Sequence, residues 1–170
     1  MALYVQQYLS PVGMLTICAD EDALRGLYFG TPAPAPAQVA RTPLLEAAAR
    51  QLDEYFRRER RTFTLPLAPQ GTDFQKRIWR VLCTVPYGQT HSYAQLAAAA
   101  GAPHAFRAAG QANHANPLPV FIPCHRIVRT DGALGGYAGG VARKAFLLRL
   151  EDWETELPSF KSDLCVSRAR

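Results

Sequence analysis

From Ser92 to Pro117 the chain reads SYAQLAAAAGAPHAFRAAGQANHANP, and no other stretch of its 170 residues limits the fold so strongly. Two alanine-rich helical runs, from about Tyr93 to Ala100 and from about His104 to Ala112, flank a Gly-Ala-Pro break that a continuous helix does not tolerate. Alanines at the crossing let the two helices approach closely. A short helix, a glycine-containing turn and a second helix form the helix-turn-helix layout. An ordinary helical hairpin shares this pattern and is, on these letters alone, at least as common.

Charge tips that balance. Residues 76–150 carry nine basic groups and one acidic group, net +8, whereas residues 1–75 are net −1 and residues 151–170 net −2. Arginine supplies 16 of the 19 basic residues, and its planar guanidinium suits phosphate. A GC-rich genome would explain arginine over lysine but not the missing carboxylates, whereas a polyanionic partner explains them. The second helix would then be the one that enters a DNA groove. Arg107 is its only long cation, so it should read sequence poorly, as suits a protein that binds DNA anywhere.

Other classes are disfavoured. Hydrophobic residues make up 48% and charged residues 19%, a globular balance. No apolar run nears the roughly 18 residues of a membrane span. The N-terminus, MALYVQQYLSPVG, alternates like a strand and lacks a basic n-region, so a cytoplasmic location is expected. Cys18, Cys83, Cys124 and Cys165 form no Cys-x-x-Cys pair. Such scattered thiols are expected to be free, without a zinc site. Cys18 and Cys83 lie in apolar stretches and read as buried structural thiols.

Residues 1–70 read as an α/β N-terminal domain. Short strands at 2–9, 14–19 and 24–29 make a small antiparallel sheet. TPAPAPAQ (31–38) is a surface loop. A helix over 43–60 places Leu45, Ala48, Leu52 and Phe56 on one face, and 62–69 returns to extended chain. Residues 71–155 read as a mainly helical domain carrying a helix-turn-helix of winged-helix type. Its first helix starts on a Thr72–Gln75 capping box, buries a Phe74, Ile78, Leu82 stripe with Trp79, and closes at Pro86. Residues 156–170 read as a loosely ordered tail.

The chemistry-bearing stretch is VFIPCHRIV, residues 120–128, where Cys124 and His125 are neighbours. Consecutive side chains on a strand point to opposite faces, so direct contact needs a turn, which Pro123 could start, or a bridging water. A thiol is a modest nucleophile until a base or positive site activates it. A base needs an orienting carboxylate, and the candidates are Asp131 and Glu151. A buried Glu151 paired with His125 and a solvent-exposed Glu151 both fit the spacing. On two letters alone, a buried thiol beside an incidental imidazole is the commoner reading.

The wider pattern changes that. RAAGQANHANP, then IPCHRIV, then GYAGGVARKAFLLRLE closely resembles the O6-alkylguanine-DNA alkyltransferases, over about Phe74 to Glu151. The resemblance implies DNA repair by direct reversal: a single, stoichiometric transfer of an alkyl group from guanine O6, with thymine O4 a further candidate, to Cys124. It gives His125, through a water, the role of base and Glu151 that of its orienter. Asn116 is the hinge amide tying the active-site turn to the helix-turn-helix. Tyr93 helps rotate the nucleotide and protonates guanine N3. Arg107 fills the gap in the stack, with Tyr93, Ala94 and Thr130 on the DNA side. Pro119, Ile127, Tyr137 and Ala138 surround the base, and the carbonyls of Cys124 and Ile127 receive its amine. It implies double-stranded DNA containing O6-alkylguanine as partner, no metal, no cofactor, and neither a membrane nor an obligate protein partner. The chain departs from the family pattern at Ala138, where some relatives have serine, and at Ala108 and Ala109, where bulkier residues are common.

Two other readings account for less. A lesion-binding sensor that transfers nothing explains the charge and the helices but leaves Cys124 idle. A Cys/His thiol hydrolase gives no reason for the +8 segment.

Overall fold

The computed structural model describes residues 2–30 and 35–160. In the N-terminal part, β1 (Tyr4–Ser10), β2 (Gly13–Ala19) and β3 (Leu24–Phe29) are consecutive antiparallel strands. A two-residue strand, β4 (Gln38–Val39), joins the free edge of β1 in parallel, giving the order β3-β2-β1-β4. The sheet is therefore mixed rather than purely antiparallel, and Gln38 belongs to a strand rather than to the expected loop. The reason lies in the backbone. Gln38 N–H donates to Leu3 O (3.0 Å) and Ala40 N–H to Val5 O (3.1 Å), so β1's unpaired edge recruits a segment whose own side chains are exposed.

Helix α1 (Pro43–Phe56) starts on Thr42, whose side chain accepts from Leu45 N–H. It buries Leu45, Ala48, Leu52 and Phe56 as the periodicity predicts, and Tyr55 as well. It stops four residues short of the expected end, because Arg58 adopts φ 61°. The following chain is extended at residues 66–68, where Leu24 N–H donates to Pro66 O and Ala68 N–H to Leu24 O.

The C-terminal part opens on α2 (Asp73–Leu82), which begins with the Thr72–Gln75 capping box. The helix ends before Pro86: Thr84 N–H donates to Val81 O and Val85 N–H to Leu82 O, a tightening last turn. Cys83 is exposed, not buried. It follows Leu82 by one residue, and one helical step rotates a side chain by about 100° away from the buried stripe. Cys18 is buried as expected, Cys18, Cys83 and Cys124 are free, and Cys165 lies outside the described residues.

Helices α3 (Tyr93–Ala99) and α4 (Phe106–His114) form the helix-turn-helix. A second capping box, Ser92 with Gln95, starts α3. Trp79 Nε1 donates to Ala112 O at 2.8 Å and ties α2 to α4. Ala109 is buried, which answers its place in the family pattern: a small side chain lets α4 sit close to its neighbours. Parallel strands β5 (His91–Ser92) and β6 (Ile127–Val128) flank these helices, and α5 (Val141–Leu150) closes the domain. One hydrophobic core joins both parts, with Phe56 near Phe146 (6.5 Å between centroids) and Phe63 edge-on to Phe121 (4.9 Å). Of the expected tail, residues 161–170 lie outside the described residues. Residues 156–160 form no regular structure, yet Pro158 is buried and Phe160 packs edge-on against Phe146. Among the described residues no helix is long and apolar enough to cross a membrane.

Candidate active site

The chain from residue 118 to 127 is buried throughout. It reaches the interior through a strained link, since Val120, a β-branched residue, sits at φ 73°. Asn116 braces this link from both sides: its Oδ1 accepts from Leu118 N–H (3.0 Å) and its Nδ2 donates to Ile122 O (2.8 Å). The amide thus holds the two ends of a backbone that would otherwise relax.

After Pro123 the chain turns through a 3-10 segment, Cys124–Arg126. The turn swings His125 away from the strand geometry and toward the end of α5. His125 Nε2 lies 2.8 Å from Glu151 Oε2, and both groups are buried. Arg126 grips the same carboxylate with two nitrogens, Nε on Oε1 (2.8 Å) and Nη2 on Oε2 (2.9 Å), and Tyr55 Oη donates to Oε2 at 2.7 Å. Burial alone would raise the Glu151 carboxyl. The charges and hydrogen bonds of His125 and Arg126 outweigh it and hold the group well below the usual carboxylate range. A carboxylate cannot donate, so the network assigns the imidazole hydrogen to Nε2. In the neutral ring the lone pair then falls on Nδ1. This nitrogen is buried and has no hydrogen-bond partner among the described residues.

Cys124 is buried, and burial pushes its thiol up to about 11; a hydrogen bond from Asn116 and the Lys144 charge act in the opposite direction. The thiol is thus protonated at neutral pH and must lose its proton during the reaction. Lys144 is also fully buried, and burial pulls it down to about 8 while Cys124 opposes that shift. Its Nζ donates to Gly136 O (3.2 Å) and lies 5.8 Å from the centre of the Tyr93 ring. The Cys124 carbonyl, expected to receive a guanine amine, is already engaged. Ile127 N–H donates to it, and Asn113 Nδ2 lies 3.4 Å away.

Tyr93 forms the wall of the entrance. Its ring lies against Gly110 of α4, and its hydroxyl approaches Gly135 so closely that a Cβ there would come within 2.8 Å. Gly135 also has φ +74°, so only glycine meets both demands. A cavity of about 530 Å³ is lined by Tyr93, Arg107, Gly110, Gln111, Asn113, His114 and Gly136. A smaller hollow of about 330 Å³ is lined by Tyr93, Ala94, Phe106, Arg129 and Thr130. Tyr93 borders both hollows, with Arg107 on one and Ala94 and Thr130 on the other. Pro119, Ile127, Tyr137 and Ala138 are not among the residues that line these two hollows, and neither is Cys124. Pro119 and Ile127 are buried, Tyr137 is buried edge-on to Phe29 (5.9 Å), and Ala138 is exposed. The glycine turn closes against Tyr93 and leaves Gly136 as the wall on that side.

The sequence reading missed Arg126, Tyr55, Asn113 and Lys144. The available signal was helical position. Lys144 shares a stripe with Leu147 and Glu151, Asn113 follows the buried Ala109 and Ala112, and Tyr55 follows Leu52. A polar group on a buried stripe needs a partner.

Comparisons with known proteins place the chain in a family. Residues 3–69 match the ribonuclease-like domain of 6-O-methylguanine DNA methyltransferase, and residues 73–153 match the DNA binding domain of the same family. The methylated-DNA–protein-cysteine methyltransferase of Methanosarcina barkeri is 42% identical over 154 residues, covering 88% of this chain and 98% of that protein. The constitutive enzyme of that name from Bacillus subtilis is 45% identical over 150 residues, covering 84% and 91%. The crystal structure of Mycobacterium tuberculosis OGT in complex with DNA superposes with a TM-score of 0.83 at 38% identity, over 91% of this chain and 96% of that one. With both halves matched in order and the buried Cys-His-Glu arrangement in place, the chain belongs to the 6-O-methylguanine DNA methyltransferase family.

Proposed function

We propose that this protein repairs DNA by direct reversal, moving an alkyl group from guanine O6 to Cys124 in one irreversible step. The observation that carries the reading is the buried His125–Glu151 pair: Glu151 holds the hydrogen of His125 on Nε2 and leaves Nδ1 of the neutral ring, buried and without a partner among the described residues, as the base for the buried thiol of the preceding residue. O6 of a stacked guanine is closed to in-line attack, so the nucleotide must leave the stack. Arg107, exposed on α4 at the edge of the cavity, fills the gap it leaves. The Cys124 proton passes through a water to His125 Nδ1. The sulfur pair forms the S–C bond, the C–O6 bond breaks, and its electron pair returns to the guanine. Tyr93 supplies a proton at guanine N3. Burial and the neighbouring Cys124 raise the Tyr93 hydroxyl, which keeps it a phenol able to donate. No group in the site cleaves a thioether, so each chain acts once.

Incubation with a duplex carrying O6-methylguanine, followed by intact mass and peptide mapping, tests this. The expected product is one added CH2 per chain, on Cys124, with no turnover beyond one equivalent. Binding without an adduct would leave a lesion sensor. Arg107→Ala slows transfer from duplex DNA by about 10–100-fold, because the flipping cost of a few kcal/mol is no longer offset. Transfer from a single-stranded oligonucleotide changes far less, and the ratio of the two rates measures the effect.

A further inference from the structure

We infer that the N-terminal helix α1 and the turn that ends it are a working part of the site, with Tyr55 and Arg58 as positioning residues for Glu151. The inference rests on the reaction proposed above and assigns a task to a domain that carries none of the motif residues.

Tyr55 lies in the last turn of α1 and Arg58 just past its end, and they hold Glu151 in two different ways. Tyr55 Oη donates to Glu151 Oε2 at 2.7 Å, on the oxygen that also receives His125 Nε2. Burial and the adjacent Glu151 raise the Tyr55 phenol well above its ordinary value, so it acts as a donor throughout the working pH range. Its ring is fixed by edge-on contacts to Phe56 (5.3 Å) and Tyr87 (6.3 Å) and by a tilted contact to Phe63 (5.4 Å).

Arg58 holds the backbone. Its guanidinium donates to Leu150 O (2.8 Å), Arg149 O (2.9 Å), Asp152 O (3.0 Å) and Thr155 O (2.9 Å). These carbonyls surround Glu151 at the end of α5, where a cation adds donors to the terminal carbonyls and complements the helix dipole. Arg58 reaches them from φ 61°, a conformation disfavoured for a side-chain-bearing residue. A glycine would adopt this turn without strain, so retaining arginine there points to a use for the guanidinium.

The consequence is directional. Glu151 sits on the C-terminal cap of α5, and its carboxylate must meet His125 Nε2 at hydrogen-bond distance. Arg126 comes from the same turn as His125 and so cannot by itself fix Glu151 relative to that turn from outside. Tyr55 and Arg58 supply that outside reference, one on the carboxylate and one on the peptide that carries it.

Tyr55→Phe and Arg58→Gly test this, each in a Cys83→Ser background that removes an exposed competing thiol. Phe keeps the ring packing, and Gly keeps the left-handed turn while deleting the guanidinium. Three readouts are used: single-turnover methyl transfer, iodoacetamide modification of Cys124 by peptide mapping, and the ¹⁵N signals of the His125 ring. Transfer is expected to slow about tenfold in each variant, the scale of one lost hydrogen bond to a charged group. The ¹⁵N signals report a looser Nε2 bond in both variants.

Lower thermal stability with wild-type rates and unchanged ring signals would make both residues merely structural and overturn the inference. Iodoacetamide needs no DNA. If the parent chain failed to form a DNA adduct, the proposed reaction would fall, and the thiol and ring readouts would still decide the positioning role.

Discussion

Replacing Cys124 with alanine abolishes methyl transfer while leaving binding to O6-methylguanine DNA. No other group in the site can substitute. Lys144 is held on the Gly136 carbonyl. Cys18 is buried in β2, and Cys83 lies at a separate cavity lined by Arg25, Lys76 and Arg80. The substitution removes one buried sulfur, so the stability change is small, roughly 1–2 kcal/mol. Tyr93, Arg107 and the other residues that line the hollow beside α4 are untouched by the substitution, so the lesion is expected to bind and stay unreacted. Intact mass after incubation checks the first half of the prediction, and a fluorescence-anisotropy titration with the same duplex checks the second. An adduct in the alanine variant would move the acceptor elsewhere.

Glu151→Gln acts on stability and on rate together. The carboxylate is buried and accepts from Arg126, His125 and Tyr55. The amide cannot neutralise Arg126, which remains buried at 7% exposure. Breaking a buried pair from one side costs about 3–5 kcal/mol, which lowers the melting temperature by roughly 10 °C for a chain of this size. Transfer slows about 10²–10³-fold, because His125 loses the group that fixes its hydrogen on Nε2.

The pH dependence has a definite sign. Glu151 is held well below its ordinary value of 4.5 in the folded chain. The unfolded chain therefore binds the extra proton first as pH falls. The stabilisation is complete above about pH 5 and declines as pH drops from the unfolded value toward the folded one. Between pH 3 and 5 the stability of the parent chain rises with pH more steeply than that of the variant. Chemical denaturation across that range measures the difference, and equal slopes would contradict the assigned network.

Much of the fold was legible because it depends on short-range rules. The α1 face from Leu45 to Phe56, the Thr72–Gln75 capping box and the break between α3 and α4 all follow from spacing and backbone chemistry. The misses share a cause. β4 has exposed side chains and forms through main-chain bonds to β1, so no side-chain pattern announces it. Cys83 sits one step past a buried stripe, where apolar neighbours mislead. The Cys124 carbonyl looked available because its partners, Ile127 and Asn113, meet it only once the turn has formed.

The site divides in the same way. Residue type and the motif around Cys124 pointed to a thiol, a neighbouring imidazole and a carboxylate 26 positions beyond that imidazole, but left open whether that carboxylate was buried. Tertiary structure decided it. His125 and Glu151 meet at 2.8 Å because a 3-10 turn rotates the imidazole toward the end of α5. Tyr55 arrives at the same oxygen from 96 positions away in sequence. The sequence by itself determined which groups could react, since that is a property of residue chemistry and local spacing. Only the packed chain decided which nitrogen of His125 holds the proton and which helix steadies Glu151, because a buried charge takes its properties from whatever the fold brings against it.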